Sequence, residues 1–589
     1  MAETIISPGV FTNEVDQTFL PAGIQAIGAA VIGPTQKGPA GIPTIVSSYS
    51  EYLQIFGGKF TSGSGASENS YKYLTNYVAQ EYLKYADTLT VVRVLDGAYA
   101  PATSSVPSAE ASSGFGGGPY AFTLTTLADG DEMNNAGTPG TNHLLLSGSG
   151  NNIRWEVTSV NPTKGTFNLS LRRGDDTIKR KVILESYSNL TLDPNSSNYI
   201  GRAIGDQSYT LRDSGTSDPF LQLSGSFPNK SKYVRVSNIA NTYNYLDSNG
   251  TIRDGNLSGS LPQTGSGSVG GGFTGGSDGT VLHPKAFNES ISNTNVQGIT
   301  FDANGSQEYI DAIRLLKNQD EYDINLLVLP GLVDNFANHA PVITEAIAMV
   351  ESRGDCFLVA DPVEYGQTIA QAATKAESRD SSYVAEYWPW VKVPDNDLGR
   401  NVWVPASVLI PSVYAFNDKV AAPWYAPAGL NRGGIDIAIA TERKLTTANR
   451  DTMADSNLNP IATFPNAGVV VYGQYTTQKK QSALDRVNVR RLLIAAKKFV
   501  ASTSKFLVFE NNTAATRNRF LSIVNPYFEN VQQRQGLYAF EVRMDESNNT
   551  PDVIDRNQLV GQIFLQPART AEFIIIDFNV MPTGASFPE

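Results

Sequence analysis

The side chains that most often carry chemistry are scarce in this sequence. Three histidines, His143, His283 and His339, lie in unrelated contexts, and none has a partner at a metal-binding spacing such as HExxH. Cys356 is the only cysteine, which rules out internal disulfides and a cysteine metal cluster. It stands in an apolar run, where a thiol is core more often than nucleophile. Carboxylates are plentiful, so a glycosidase-like pair is arithmetically available without being specific. The glycine-rich stretch Ser258 to Gly279 lacks the GxxxxGK[ST] spacing of a phosphate loop and reads as a flexible connection with no core of its own. The residues thus predict no catalytic site, no cofactor and no metal.

The chemistry that stands out is ionic. Between Lys479 and Lys498, seven Lys or Arg accompany one Asp, a net of +6 within a chain of net charge −12. At the helical advance of about 100° per residue, Val489, Leu492, Leu493, Ala496, Phe499 and Val500 share one arc, and Arg486, Arg490 and Lys497 line up beside it. One face needs a core; the adjoining face suits solvent or an anionic partner.

The segments around this helix must hold it in place. Phe506 to Phe509 reads as a strand, and a second helical stretch follows, interrupted by Pro526 and closed by Gly536. From Glu572 to Val580 runs a terminal β-segment with Ile574, Ile576, Phe578 and Val580 on one side. So apolar a strand implies a sheet that receives it.

The remainder sets the class. A chain of 589 residues divides into several domains. Its acidic balance argues against direct nucleic-acid binding. No secretory signal is visible at the start, and no apolar run reaches the roughly 18 residues of a membrane span. Residues 21–97 read as the first part of an α/β or α+β unit, with strands at Ile24 to Ile32, Thr44 to Val46 and Leu89 to Val94 and helices at Ser50 to Phe56 and Tyr71 to Tyr85. The next two hundred residues read as a β-rich insertion, its clearest strands Ile153 to Val160, Thr166 to Arg172 and Ile178 to Leu184. From about residue 291 helix and strand alternate again, which implies a partly parallel sheet. Trp388, Trp390, Trp403 and Trp424 gather among prolines and glycines, as packing beneath loops more than as a sugar platform.

Several motifs taken together resemble the contractile tail sheath proteins of phages with long contractile tails. They are SPGVF near the start, ESYSNLTLDP (185–194) and GGSDG (275–279) in the insertion, and WPWVKVP and WYAPAGLNRGGI in the middle. DRVNVRRL (485–492), LVFENN (507–512), NNTPDVIDRN (548–557), FLQPAR (564–569), EFIIIDF and TGASF follow in the same order. Gln474-Tyr475-Thr476 and Pro526 depart from the pattern. The resemblance implies an α+β multidomain fold: an α/β core built from both chain ends, with one or more inserted β-rich, barrel- or sandwich-like domains facing outward. The segments would be an N-terminal extended arm (1–20), the first part of the core (21–97), the insertion (98–290), a middle α/β domain (291–460), a C-terminal core domain (461–570) and a C-terminal strand or arm (571–589).

It further implies a non-enzymatic homo-oligomer of many copies in a helical or ringed polymer. Its partners would be a tail tube protein and baseplate and tail terminator proteins, without membrane insertion. The protein would reside in the virion, and in the host cytoplasm during assembly. Inter-subunit arms would use Val10, Phe11, Val15, Phe573, Ile574, Ile575, Ile576 and Phe578, and Arg486, Arg490 and Lys497 would face the tube. Two other classes compete: the sheath of a related bacteriocin or secretion-type injection system, and a β-rich adhesin or carbohydrate-active protein.

Overall fold

A computed structural model describes residues 28–62, 69–109, 120–135, 144–263, 270–281 and 291–572. Its centre is a mixed sheet of eight strands: β1 (Gly28–Gly33), β2 (Thr44–Val46), β3 (Leu89–Arg93), β4 (Ile324–Val333), β5 (Phe357–Asp361), β6 (Val384–Trp388), β7 (Asn459–Phe464) and β8 (Gly468–Val471). They lie in the order β2-β3-β1-β4-β5-β6-β7-β8. The six inner strands are parallel, and β2 and β8 close the edges antiparallel. Sequence on either side of the insertion therefore meets in one sheet, with Ala30 opposite both Thr90 and Leu327.

The strands are continuously apolar because both faces are covered. Ala29, Val31, Leu326, Val328 and Tyr387 pack on one side with the helices Leu74–Tyr82 and Ala406–Val420. Ala30, Ile32, Leu327, Leu358 and Val384 pack on the other with the helices Gln307–Leu315 and Ala340–Arg353. The last of these has a proline in its first turn and ends on Gly354 at φ 66°, the left-handed cap that glycine adopts freely. The helix expected over Tyr71 to Tyr85 is shorter, because Asn69–Lys72 forms a strand with Lys59–Ser62.

Between β3 and β4 lies β-rich sequence. A three-stranded sheet (Pro101–Pro107, Tyr120–Asp129, Val234–Ser237) and a four-stranded sheet (Ile153–Asn161, Thr166–Arg173, Ile183–Thr191, Gly270–Gly271) share one core that includes Phe122, Leu124, Trp155, Phe167, Leu171, Val236 and Phe273.

Two expectations for this region are corrected. The third strand begins at Ile183, because the Asp176 carboxylate accepts from the Val182 amide at 3.0 Å and takes the Arg172 guanidinium, which makes 174–182 an ordered turn. The glycine-rich stretch is no loose connection over 270–279. Gly270 and Gly271 pair with Glu156 and Trp155, and Phe273 is fully buried. A Cβ on Gly272 would stand 1.3 Å from the Asn135 carbonyl oxygen, so glycine here answers a close backbone approach.

After β8 comes a helical layer of its own. The helices Val487–Lys505 and Ala514–Gln533 and the hairpin Leu537–Arg543/Gln562–Pro567 enclose Leu492, Phe520, Val524, Phe528 and Leu537. Phe506 to Phe509 is not a strand: the first helix runs on to Lys505, only Leu507 turns inward, and Phe509 is fully exposed at φ 69°. Pro526 does not break the second helix, which runs through it.

Candidate functional site

The helix that carries the basic residues starts at Val487, just past Arg486, the first residue that the sequence pattern places on its basic side. Ser482 caps a short turn (Ala483–Asp485) by accepting from the Leu484 amide, and Arg486 becomes the N-cap of Val487–Lys505. A cation at a helix N-terminus opposes the helix dipole. It is compensated here by carboxylates. Arg486 donates through Nε and Nη2 to the two oxygens of Glu572, at 2.8 and 2.9 Å, and Asp485 lies 3.3 Å away. The guanidinium also lies over the Tyr475 ring, 4.3 Å from its centroid.

Four residues further on, Arg490 is buried. Its guanidinium stacks 4.0 Å from the centre of the Tyr383 ring, and its Nε donates to the Ser382 carbonyl at 3.1 Å. Burial lowers its pKa, with Tyr383 opposing the shift. Lys497 lies over the same ring at 5.8 Å and donates to the Tyr383 hydroxyl at 3.1 Å, with its side chain open to solvent. The three candidate cations therefore do not form one open row: Arg486 is ion-paired, Arg490 is enclosed, and Lys497 is exposed. The helix is covered on two sides, with Ile494 in the core of the large sheet and Leu492 and Ala496 in the C-terminal core. A single apolar arc in the sequence hides that second contact.

Two cations that the helical arc left aside are also engaged. Arg491 lies 4.5 Å over the Tyr414 ring and pairs with Asp418, and Lys498 donates to the Ile324 carbonyl at 2.6 Å beside Asp323 and Asp355. The charge run thus fastens the C-terminal layer to the large sheet. Arg490 and Arg491 stand next to each other in sequence yet grip different tyrosines, a pattern that no spacing rule indicates.

The arm residues Val10, Phe11, Val15, Phe573, Ile574, Ile575, Ile576 and Phe578 lie outside the described residues, as do His143 and His283. The described chain reaches the root of the terminal run, where Gln474 Nε2 donates to Thr570 Oγ1 at 2.7 Å and to Glu572 Oε1 at 3.2 Å.

Other chemically suggestive residues are structural in this fold. His339 sits between Phe301 and Phe336; its Nδ1 accepts from the Val333 amide at 3.1 Å, and its Nε2 faces the Ser292 carbonyl at 3.0 Å. Burial lowers its pKa to about 4. Burial pushes the Cys356 thiol up to about 12, away from nucleophilic use. Trp388 and Trp390 are buried, and Trp424 is distant in role, donating to the Arg534 carbonyl of the C-terminal layer at 3.0 Å. No group of three residues that could hold a metal occurs among the described residues.

Comparison with known proteins places these elements. Residues 302–477 match the family model of the phage tail sheath protein central domain, and residues 479–581 match that of the phage tail sheath C-terminal domain. The tail sheath protein of Vibrio phage KVP40 is 38% identical over 210 residues, 36% of this chain and 30% of the relative. That of Enterobacteria phage T4 is 38% identical over 194 residues, 33% of this chain and 29% of the relative. The chain thus spans less than a third of the length of these curated relatives. In fold it is similar to the sheath tail protein from Listeria innocua, with a TM-score of 0.50 and 11% identity over 92% of this chain and 96% of that one. Residues 302–477 and 479–581 are thus similar to the central and C-terminal domains of phage tail sheath proteins.

Proposed function

We propose that this chain is the structural subunit of a contractile phage tail sheath, which polymerises around a tail tube and contracts to drive the tube through the host envelope for genome ejection. The observation that carries the reading is the consecutive match of both sheath domains over residues 302–477 and 479–581. The two domains correspond to the large sheet's second half and to the helical layer fastened to it by Arg490, Arg491 and Lys498.

In this scheme the polymer is homo-oligomeric and its ends meet baseplate and terminator proteins. The protein acts in the virion after assembly in the host cytoplasm. The segments 1–20 and 571–589 serve as arms, because an apolar strand added to a neighbour's sheet gains main-chain hydrogen bonds and side-chain pockets that it lacks alone. Residues 98–290 face outward, and the segments 21–97, 291–460 and 461–570 form the body. A head-to-tail contact of this kind does not close and so propagates as a helix. Contraction requires no hydrolysis or cofactor if the extended lattice is kinetically trapped above the contracted one. Each subunit then contributes a few kcal/mol, summed over a cooperative lattice. An acidic tube would meet the Val487–Lys505 helix at Lys497, the exposed one of the three candidate cations, in a contact that expansion of the sheath can release.

Negative-stain microscopy of the purified protein, alone and with tubes, tests the reading. Stacked-ring tubes or tube-templated sheaths are expected. A protein that stays monomeric under both conditions would overturn it.

A further inference from the structure

The residues just before the terminal run are held in a way that neither the fold nor the charge run requires. Glu572 receives a two-pronged contact from Arg486, at 2.8 and 2.9 Å, and a third donor from Gln474 at 3.2 Å. Gln474 also holds Thr570 at 2.7 Å. The guanidinium of Arg486 is fixed from its other face by Tyr475, so its fork is oriented before the carboxylate arrives.

This clamp is rooted in the large sheet. Within β7, Asn459 is fully buried; its Oδ1 accepts from the Tyr475 amide at 2.6 Å, and its Nδ2 donates to the Tyr475 carbonyl at 2.7 Å. The Thr476 amide donates to the Asp485 carbonyl at 3.0 Å, and the Val487 amide to the Gln474 carbonyl at 2.9 Å. The segment 474–477 is thereby strapped to the start of the basic helix. A path of hydrogen bonds, one cation–π contact and one ion pair runs from β7 through Asn459, Tyr475 and Arg486 to Glu572. Without it, the nearest upstream tether of the terminal run is the Ala568 amide on the Gly536 carbonyl, at the end of the hairpin.

We propose that Gln474, Tyr475 and Arg486 form a clamp on residues 570–572 that fixes where the terminal run leaves the body and carries load between that run and the large sheet. The partner it serves is a second copy of this chain, and in that respect the inference rests on the sheath reading above. Arg486, Gln474 and Tyr475 act as positioning residues for polymerisation. An ion pair with both side chains about a quarter exposed is strong enough to hold a direction and remains sensitive to salt.

The test uses the full chain in unassembled form. Chymotrypsin cleavage after Phe573 and Phe578 is followed by mass spectrometry for the wild type, Arg486→Glu, Glu572→Arg, the combined exchange and Gln474→Ala. Circular dichroism confirms that each variant is folded. Both single charge reversals should accelerate cleavage about fivefold, the exchange should return it to within about twofold of wild type, and Gln474→Ala should fall between. Raising the salt should accelerate cleavage of the wild type but not of Arg486→Glu. Polymer length by microscopy should follow the same order. Equal cleavage of the wild type and both single reversals would overturn the clamp. A wild type that forms no polymer under any condition would overturn the sheath reading, while the cleavage rates would still decide the clamp.

Discussion

Arg93 and Asp278 are 185 residues apart in sequence and 3.0 Å apart in the fold, both almost fully buried. Arg93 ends β3, the last strand before the β-rich insertion, and Asp278 lies near its return. The same guanidinium donates to the Gly38 carbonyl at 2.8 Å and to the Asp129 carbonyl at 2.7 Å. One side chain thus ties the outgoing and returning ends of the insertion to the loop after β1. Replacing Arg93 by Ala removes the cation beside a buried carboxylate and the donor to four carbonyls, those of Thr35, Gln36, Gly38 and Asp129, and should cost about 3–5 kcal/mol. Chemical denaturation measures the loss; a change below about 1 kcal/mol would show that solvent satisfies the site.

A second buried ionic group sits where three parallel strands end. Glu386 in β6 is buried beside Asp334, which takes the Arg379 guanidinium and the Lys375 ammonium, and near Asp361, which accepts from the Ser407 amide at 2.9 Å. Burial, reinforced by Asp334, raises the pKa of Glu386 well above the ordinary carboxylate range, against Arg379 and Lys375. A carboxyl whose folded pKa exceeds its unfolded value contributes stability at low pH that is lost as pH rises through the folded value. Glu386→Gln should therefore match wild type near pH 4 and gain on the order of 1–3 kcal/mol by pH 8. Thermal melts across that range check the divergence.

His339 titrates with the opposite sign. Its folded pKa, lowered to about 4 by burial, lies below the ordinary histidine value, so its contribution is full above about pH 6.5 and lost as pH falls toward 4. Protonation would place a donor against the Val333 amide, which Nδ1 now accepts. His339→Phe should cost about 1–3 kcal/mol at pH 7 and shrink its deficit relative to wild type as the pH is lowered to 5. A deficit that is constant over this range would mean that the ring titrates in the folded state as it does in the unfolded one, and that burial does not lower its pKa.

Apolar continuity made the large sheet legible: GAAVIG, LTVVR and INLLVL bury both faces, and a run of that composition has few other fates. The helices over them follow from periodicity and caps. What sequence patterns miss is contact at a distance. Glycines at 271–272 look like linker until Trp155 and the Asn135 carbonyl occupy the space a side chain would need. Phe506 to Phe509 carries strand-forming residues, but the preceding helix consumes the chain to Lys505. Arg490 reads as a surface cation because helical geometry ranks positions against one core, and this helix has two. The Gln474, Arg486 and Glu572 contact joins residues almost a hundred positions apart, beyond the reach of local spacing.

The burial of Arg490 changes how a tube contact must be probed. Reversing its charge would place a carboxylate against the Tyr383 ring and beside the Ser382 carbonyl, so Arg490→Glu should lose about 2–4 kcal/mol of folding stability and confound any assembly assay. Lys497 offers a cleaner probe, since its ammonium meets the ring and hydroxyl of Tyr383 and its side chain is exposed. Lys497→Glu should leave the denaturation midpoint within about 0.5 kcal/mol of wild type in free energy. If this face meets an acidic tube, the same variant should assemble poorly around tubes, form tube-free polymers normally, and lose the salt dependence that wild-type assembly shows. Co-sedimentation with tubes at two ionic strengths reads the effect; equal sedimentation of variant and wild type at both would move the tube contact to another face.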